Sequence, residues 1–145
     1  MKRTLIFTLL SCLLLFLLIG CSSQDYIDKI ESYSQGRTEL TFGEALNFEW
    51  DIAYNDQKPY QKAEDIKEIS GYNFQVDRIG TDQLYRFLFF NEGKLVTEIR
   101  YEFGIFEFYN EVIEFYPDTV FSIEWYNYIG RDGNTYPHLR LTSKE

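Results

Sequence analysis

From Glu39, and again after Gly71, the chain alternates apolar and polar side chains, and turn residues break the alternation at roughly the 8–12-residue spacing of a strand-rich domain. Phe48, Trp50, Ile52 and Tyr54 alternate with Glu49, Asp51, Ala53 and Asn55. Tyr72, Phe74 and Val76 alternate with Asn73, Gln75 and Asp77. Leu95, Thr97, Ile99, Tyr101 and Phe103 repeat the pattern, and so do Phe121, Ile123 and Trp125. Successive side chains of a strand point to opposite faces, so each run predicts a strand with one face turned to a core. On this reading Trp50 and Tyr54 share a face, and Asp51 points the other way.

The breaks carry turn chemistry. Asn91-Glu92-Gly93-Lys94 predicts a hairpin, with Gly93 at a positive φ. Gly80-Thr81-Asp82, Tyr116-Pro117-Asp118-Thr119 and Gly130-Arg131-Asp132-Gly133-Asn134 predict further turns. Between them, Leu84–Phe90 is a dense apolar strand interrupted by Arg86, and Phe106–Phe115 reads as one strand or two around Tyr109-Asn110-Glu111. The helical signals are few. Gln61–Ser70 carries Glu64 and Asp65 early, a stripe of Ala63, Ile66 and Ile69, and Gly71 just past its end. Residues 21–36 read as a tether with room for a short helix. There Ser22 and Asp25 resemble a capping box, and Tyr26, Ile30 and Tyr33 fall on one face. The expected fold is α+β: a mostly meandering, curved antiparallel sheet of about six to seven strands with one or two short helices. Closure into a barrel would remove its exposed edges. The domain is expected over residues 37–145.

Residues 1–20 are set apart. Lys2 and Arg3 precede an apolar run from Leu5 to Ile19 that is short for a bilayer span of roughly 20 residues. Leu18-Ile19-Gly20-Cys21 resembles the lipobox of bacterial lipoprotein precursors, and Ser22-Ser23-Gln24 leads away in polar residues. The resemblance implies cleavage before Cys21, an S-diacylglycerol group and an N-acyl group on that cysteine, and attachment to the extracytoplasmic face of the cell membrane. Removing Met1–Gly20 leaves 125 residues, in which 12 basic side chains face 23 acidic ones, and the net charge moves from −9 to −11. Cys21 is then the only cysteine, so no disulfide can form within the chain.

This acidity argues against nucleic acid as a partner, because binding to phosphate calls for a basic patch. It also argues against electrostatic attachment to anionic lipid, leaving the acyl chains, at about 0.8 kcal/mol per buried CH₂, to hold the membrane. His138 is the only histidine, too few for a transition-metal cluster and without the nucleophile of a triad. Asp132 and Asn134 would offer calcium two ligands, but a hairpin turn accounts for both. No cofactor or metal is expected. Glu107, Glu111, Glu114 and Glu124 lie among aromatic residues. A glycan hydrolase would pair two such carboxyls across a sugar, whereas a solvated strand face shows the same alternation.

Aromatic residues make up 25 of the 125 that follow Gly20. Two readings accommodate them: a thick core with cross-strand pairs, or a binding surface for a peptide, glycan or protein that includes Tyr109, Tyr116, Tyr126 and Tyr128. Phe48-x-Trp50-Asp51-x-x-Tyr54, followed by Pro59-Tyr60-x-x-x-Glu64-x-Ile66, is similar to a pattern in small uncharacterised lipoproteins of Gram-positive bacteria and their prophages. The resemblance implies a location and a shared fold. It brings in a phage-exclusion or immunity role beside the non-enzymatic binding role and the hydrolase. Trp50, Asp51, Tyr54 and Tyr60 are candidate ligand-binding or structural residues, with Asp51 either accepting hydrogen bonds from loop backbone or meeting a ligand.

Overall fold

A computed structural model describes residues 22–56, 63–77, 84–102, 104–108 and 114–144. The fold is α+β, with helices α1 (Ser23–Ser34), α2 (Phe42–Ala45) and α3 (Ala63–Ser70). Its strands are β1 (Glu39–Thr41), β2 (Ile52–Asp56), β3 (Leu84–Asn91), β4 (Lys94–Glu102), β5 (Phe106–Phe108), β6 (Glu114–Phe115), β7 (Val120–Ile129) and β8 (Thr135–Ser143). They form two four-stranded sheets rather than one, in the orders β4-β3-β2-β6 and β1-β7-β8-β5.

The first sheet contains the expected meander, β2-β3-β4, built of antiparallel neighbours. Its β3–β4 turn is Glu92-Gly93, both with positive φ (50° and 73°). That is the geometry of a tight hairpin whose twist matches its strands. The second sheet departs from a meander. β1 pairs with β7, and β5 lies parallel to β8. The Phe106–Phe115 stretch thus yields two short strands, one in each sheet.

Between the sheets lies an aromatic core. Phe42 meets Phe87, Phe115 and Phe121 with ring centroids 4.9–5.5 Å apart. The pairs with Phe87 and Phe121 are edge-to-face, an arrangement worth about 0.5–1.5 kcal/mol each beyond area burial. A second core covers the other face of the first sheet, where Tyr54, Leu88 and Phe90 pack under Ile66 of α3 and Phe74. The dense run of β3 follows from this double burial: Phe87, Leu88, Phe89 and Phe90 are all inaccessible.

Two local irregularities reassign side chains. The backbone bends at Asp51, so Trp50 joins the core between the sheets while Ile52 and Tyr54 face the second core. Trp50 and Tyr54 therefore do not share a face. In β4 the register steps from Phe89↔Thr97 to Phe90↔Leu95, leaving Val96 as the extra residue of a bulge. Leu95 turns to the second core, and Ile99 and Tyr101 turn to the first. The 72–76 alternation also needs correcting. Tyr72, Phe74 and Val76 pack on the second core, but residues 71–77 pair with no strand. The segment is a cover rather than a sheet member. α3 ends as expected at Gly71 (φ 71°), whose N–H donates to the Lys67 carbonyl, but Ile69 lies exposed. The predicted turn at Gly80-Thr81-Asp82 falls outside the described residues.

Residues 22–34 are no loose tether. The capping box forms, with the Ser22 N–H donating to Asp25 Oδ2 at 2.6 Å and the Asp25 N–H donating to Ser22 Oγ at 3.3 Å. Ile27 and Ile30 of α1 are buried in the core between the sheets. Ser23 Oγ accepts the Arg100 N–H at 3.0 Å, which fastens the start of the helix to β4.

Candidate functional site

β7 and β8 outrun their neighbours. Among the described residues, β1 flanks β7 only from Val120 to Ser122, and β5 flanks β8 only from Leu139 to Leu141. Glu124–Ile129 pair with Thr135–Arg140, and the outer part of this arm, Tyr126–Ile129 against Thr135–His138, is two-stranded among the described residues. Its tip is tied by Asp132, whose Oδ1 accepts the Asn134 N–H at 3.0 Å. Its Oδ2 accepts Tyr136 Oη at 2.6 Å and Asn134 Nδ2 at 2.8 Å. These three bonds hold the Asp132 carboxyl below the ordinary aspartate value, with the Tyr136 hydroxyl the largest cause.

The arm leaves large side chains in solvent: Trp125 is 38% exposed, Tyr136 45%, Tyr128 47% and Ile129 69%. One face carries an ordered ladder. Tyr128 stacks on His138 at 5.0 Å, and Tyr126 meets the same ring edge-on at 5.4 Å. Gly104 (φ 96°) lies against His138, where a Cβ would come within 2.9 Å of Cε1, so the ring sits over a glycine. Tyr126 Oη and Arg140 Nε both donate to Glu107 Oε2, at 2.7 and 2.9 Å. Arg140 Nη1 donates to Glu124 at 3.0 Å, and the guanidinium lies 4.6 Å from the centre of the Tyr126 ring.

The electrostatics follow from these contacts. The Tyr126 hydroxyl, aided by Arg140, holds the Glu107 carboxyl below the ordinary glutamate value. Burial, and then the bond to Glu107, pushes the Tyr126 phenol up. Burial lowers His138, with Glu107 opposing. Glu107 is thus an ionised, engaged acceptor, whereas a proton-donating acid at neutral pH needs a raised value. On the other face Trp125 and Pro137 border an open cleft of about 420 Å³ completed by Glu31, Gln35 and Gly36 at the end of α1. Burial raises the Glu31 carboxyl there, helped by Asp28.

No protein-family model, curated protein or solved structure matches the chain. Among the described residues no helix is long and apolar enough to cross a membrane, and no group of three or more His, Cys, Asp or Glu is placed to hold a metal ion.

The residues singled out from the Trp50 pattern lie elsewhere. Trp50 is buried, edge-on to Phe89 at 4.9 Å and to Phe115 at 5.8 Å. Asp51 Oδ2 accepts the Glu92 N–H at 2.7 Å and its own N–H donates to the Phe90 carbonyl, so it anchors the β3–β4 turn. Tyr54 is buried, and its phenol is pushed up to about 12 by burial and then by the charge of Glu114. Cys21, Tyr60, Tyr109 and Glu111 fall outside the described residues. Tyr116 is exposed but stands in the turn before β7, where Glu114 pushes its phenol up. Sequence reasoning named Tyr126 and Tyr128 but missed Tyr136, Arg140 and the stacking role of His138. The signal was the mirror arrangement of large residues on either side of Gly130–Asn134, which a hairpin register brings side by side.

Proposed function

We propose that this chain is a lipid-anchored, extracytoplasmic binding protein. Residues 1–20 direct export, Cys21 carries the lipid, and the domain offers its β7–β8 arm to a peptide, glycan or protein partner. The lipobox-like Leu18-Ile19-Gly20-Cys21 supports the anchor. The observation that carries the binding role is the arm: Tyr128, Ile129 and Tyr136 lie exposed on a ribbon that no other strand flanks among the described residues, with Trp125 exposed at its base. Large aromatic residues are enriched where partners dock. The engaged Glu107–Arg140–Glu124 cluster favours recognition over glycan hydrolysis.

Two measurements test the proposal. Cells fed a labelled fatty acid should label the wild type and not Cys21→Ala, and equal labelling would refute the anchor. Photocrosslinking from the arm in intact cells should give a discrete adduct that Tyr128→Ala/Tyr136→Ala loses. An adduct unchanged in that variant would place the binding surface elsewhere.

A further inference from the structure

We propose that the domain is anchored without a tether, so that the start of α1 and the adjoining stretch of β4 are held against the lipid headgroups while the base of the arm, at the other end of α1, is set back from the anchor. The inference rests on lipidation of Cys21 and goes beyond it to orientation. Two residues of chain span at most about 7 Å, so Ser23 cannot stray further than that from the lipidated residue. Ser22 is already committed to the capping box, and Ser23 Oγ holds the Arg100 N–H. Ile27 and Ile30, buried in the core, fix the helix to the domain from its first turns. Between the lipid and the folded unit there is accordingly no slack.

The arm lies at the far end of the same helix. Trp125 and Pro137 border the cleft completed by Gln35 and Gly36, just past the α1 C-terminus. The 12 residues of α1 span about 18 Å at 1.5 Å per residue. The base of the arm is therefore set back from the anchor by about one helix length.

The test uses the lipidated full-length protein in vesicles containing headgroup-spin-labelled lipid. Cys21 is blocked by lipid, so a fluorophore can be placed on Gln24→Cys, at an exposed position in the first turn of α1, or on Arg131→Cys, at the arm tip. The expected result is strong quenching at position 24 and none at 131. A Gly/Ser insert of about 16 residues between Cys21 and Ser22, whose ends average about 20–24 Å apart, should abolish the quenching at 24. If lipid is attached but position 24 is quenched no more than in the insert variant, the tetherless geometry is overturned and the anchor stands. Quenching at 131 equal to that at 24 also overturns it. If mass spectrometry finds no lipid on Cys21, the anchor falls and the inference falls with it.

Discussion

Arg86 sits in an otherwise apolar strand with only 3% of its side chain exposed. Its Nε donates to Asp56 Oδ2 at 3.0 Å, and its Nη1 reaches the Asp77 carbonyl at 3.0 Å and Glu98 at 3.4 Å. Asp56 is equally buried, and its Oδ1 has no partner among the described residues. Burial raises the Asp56 carboxyl against the pull of Arg86. Removing one member of such a pair strands the other charge, which costs about 3–5 kcal/mol. Arg86→Met should lower the urea midpoint at pH 7 accordingly. The sign with pH follows from linkage. A raised carboxyl favours the folded state at low pH, and that contribution fades as pH rises through the folded value. The deficit of Arg86→Met should therefore shrink as the pH approaches about 4, where aspartate protonates in the unfolded chain. A deficit constant between pH 7 and 4 would show that lost packing, not a stranded charge, is responsible. Glu107 behaves oppositely. Its lowered value contributes stability above the ordinary glutamate range, and this is lost as pH falls through the folded value. Tyr126→Phe removes the largest cause of the lowering. Carboxyl NMR should then show the Glu107 titration moving up toward the ordinary value, and an unmoved midpoint would contradict the assigned bond.

α1 shows how a capping signal and a buried stripe turn an apparent tether into part of the fold. Ile30 is fully buried, and truncating such a residue costs about 2–5 kcal/mol. Ile30→Ala should show that loss in chemical denaturation, whereas an independent tether would leave the domain's stability unchanged. The capping box and the Glu92-Gly93 hairpin were legible in the sequence because each is decided by a few adjacent residues. The faces of β2 and β4 were not. A strict period of two assumes an unbroken pleat, and the bend at Asp51 and the bulge at Val96 each break it. The arm was half legible. Its aromatic residues could be read off the chain, but their exposure depends on where β1 and β5 stop, which is fixed in space and not by the arm's own residues.

The α+β class was legible from alternation and turn spacing across the molecule. The division into two sheets was not, because it depends on pairings between distant segments. Three-residue β1 pairs with Val120–Ser122, and three-residue β5 pairs with Leu139–Leu141. Neither carries enough sequence to announce its partner, and both leave the adjacent-hairpin pattern. These pairings also impose an order in time. Until the last two strands exist, β1 and β5 have nothing to join, and long-range pairing of this kind is slow to form. A chain cut after Asp118 should therefore lack fixed tertiary packing, with weak near-ultraviolet circular dichroism and rapid proteolysis. A cooperative thermal transition in that fragment would refute the dependence. For the export we propose, which would need an unfolded chain, this connectivity would act as a delay. A chain emerging from its N-terminus would not lock before its final residues arrived, and would stay threadable until then.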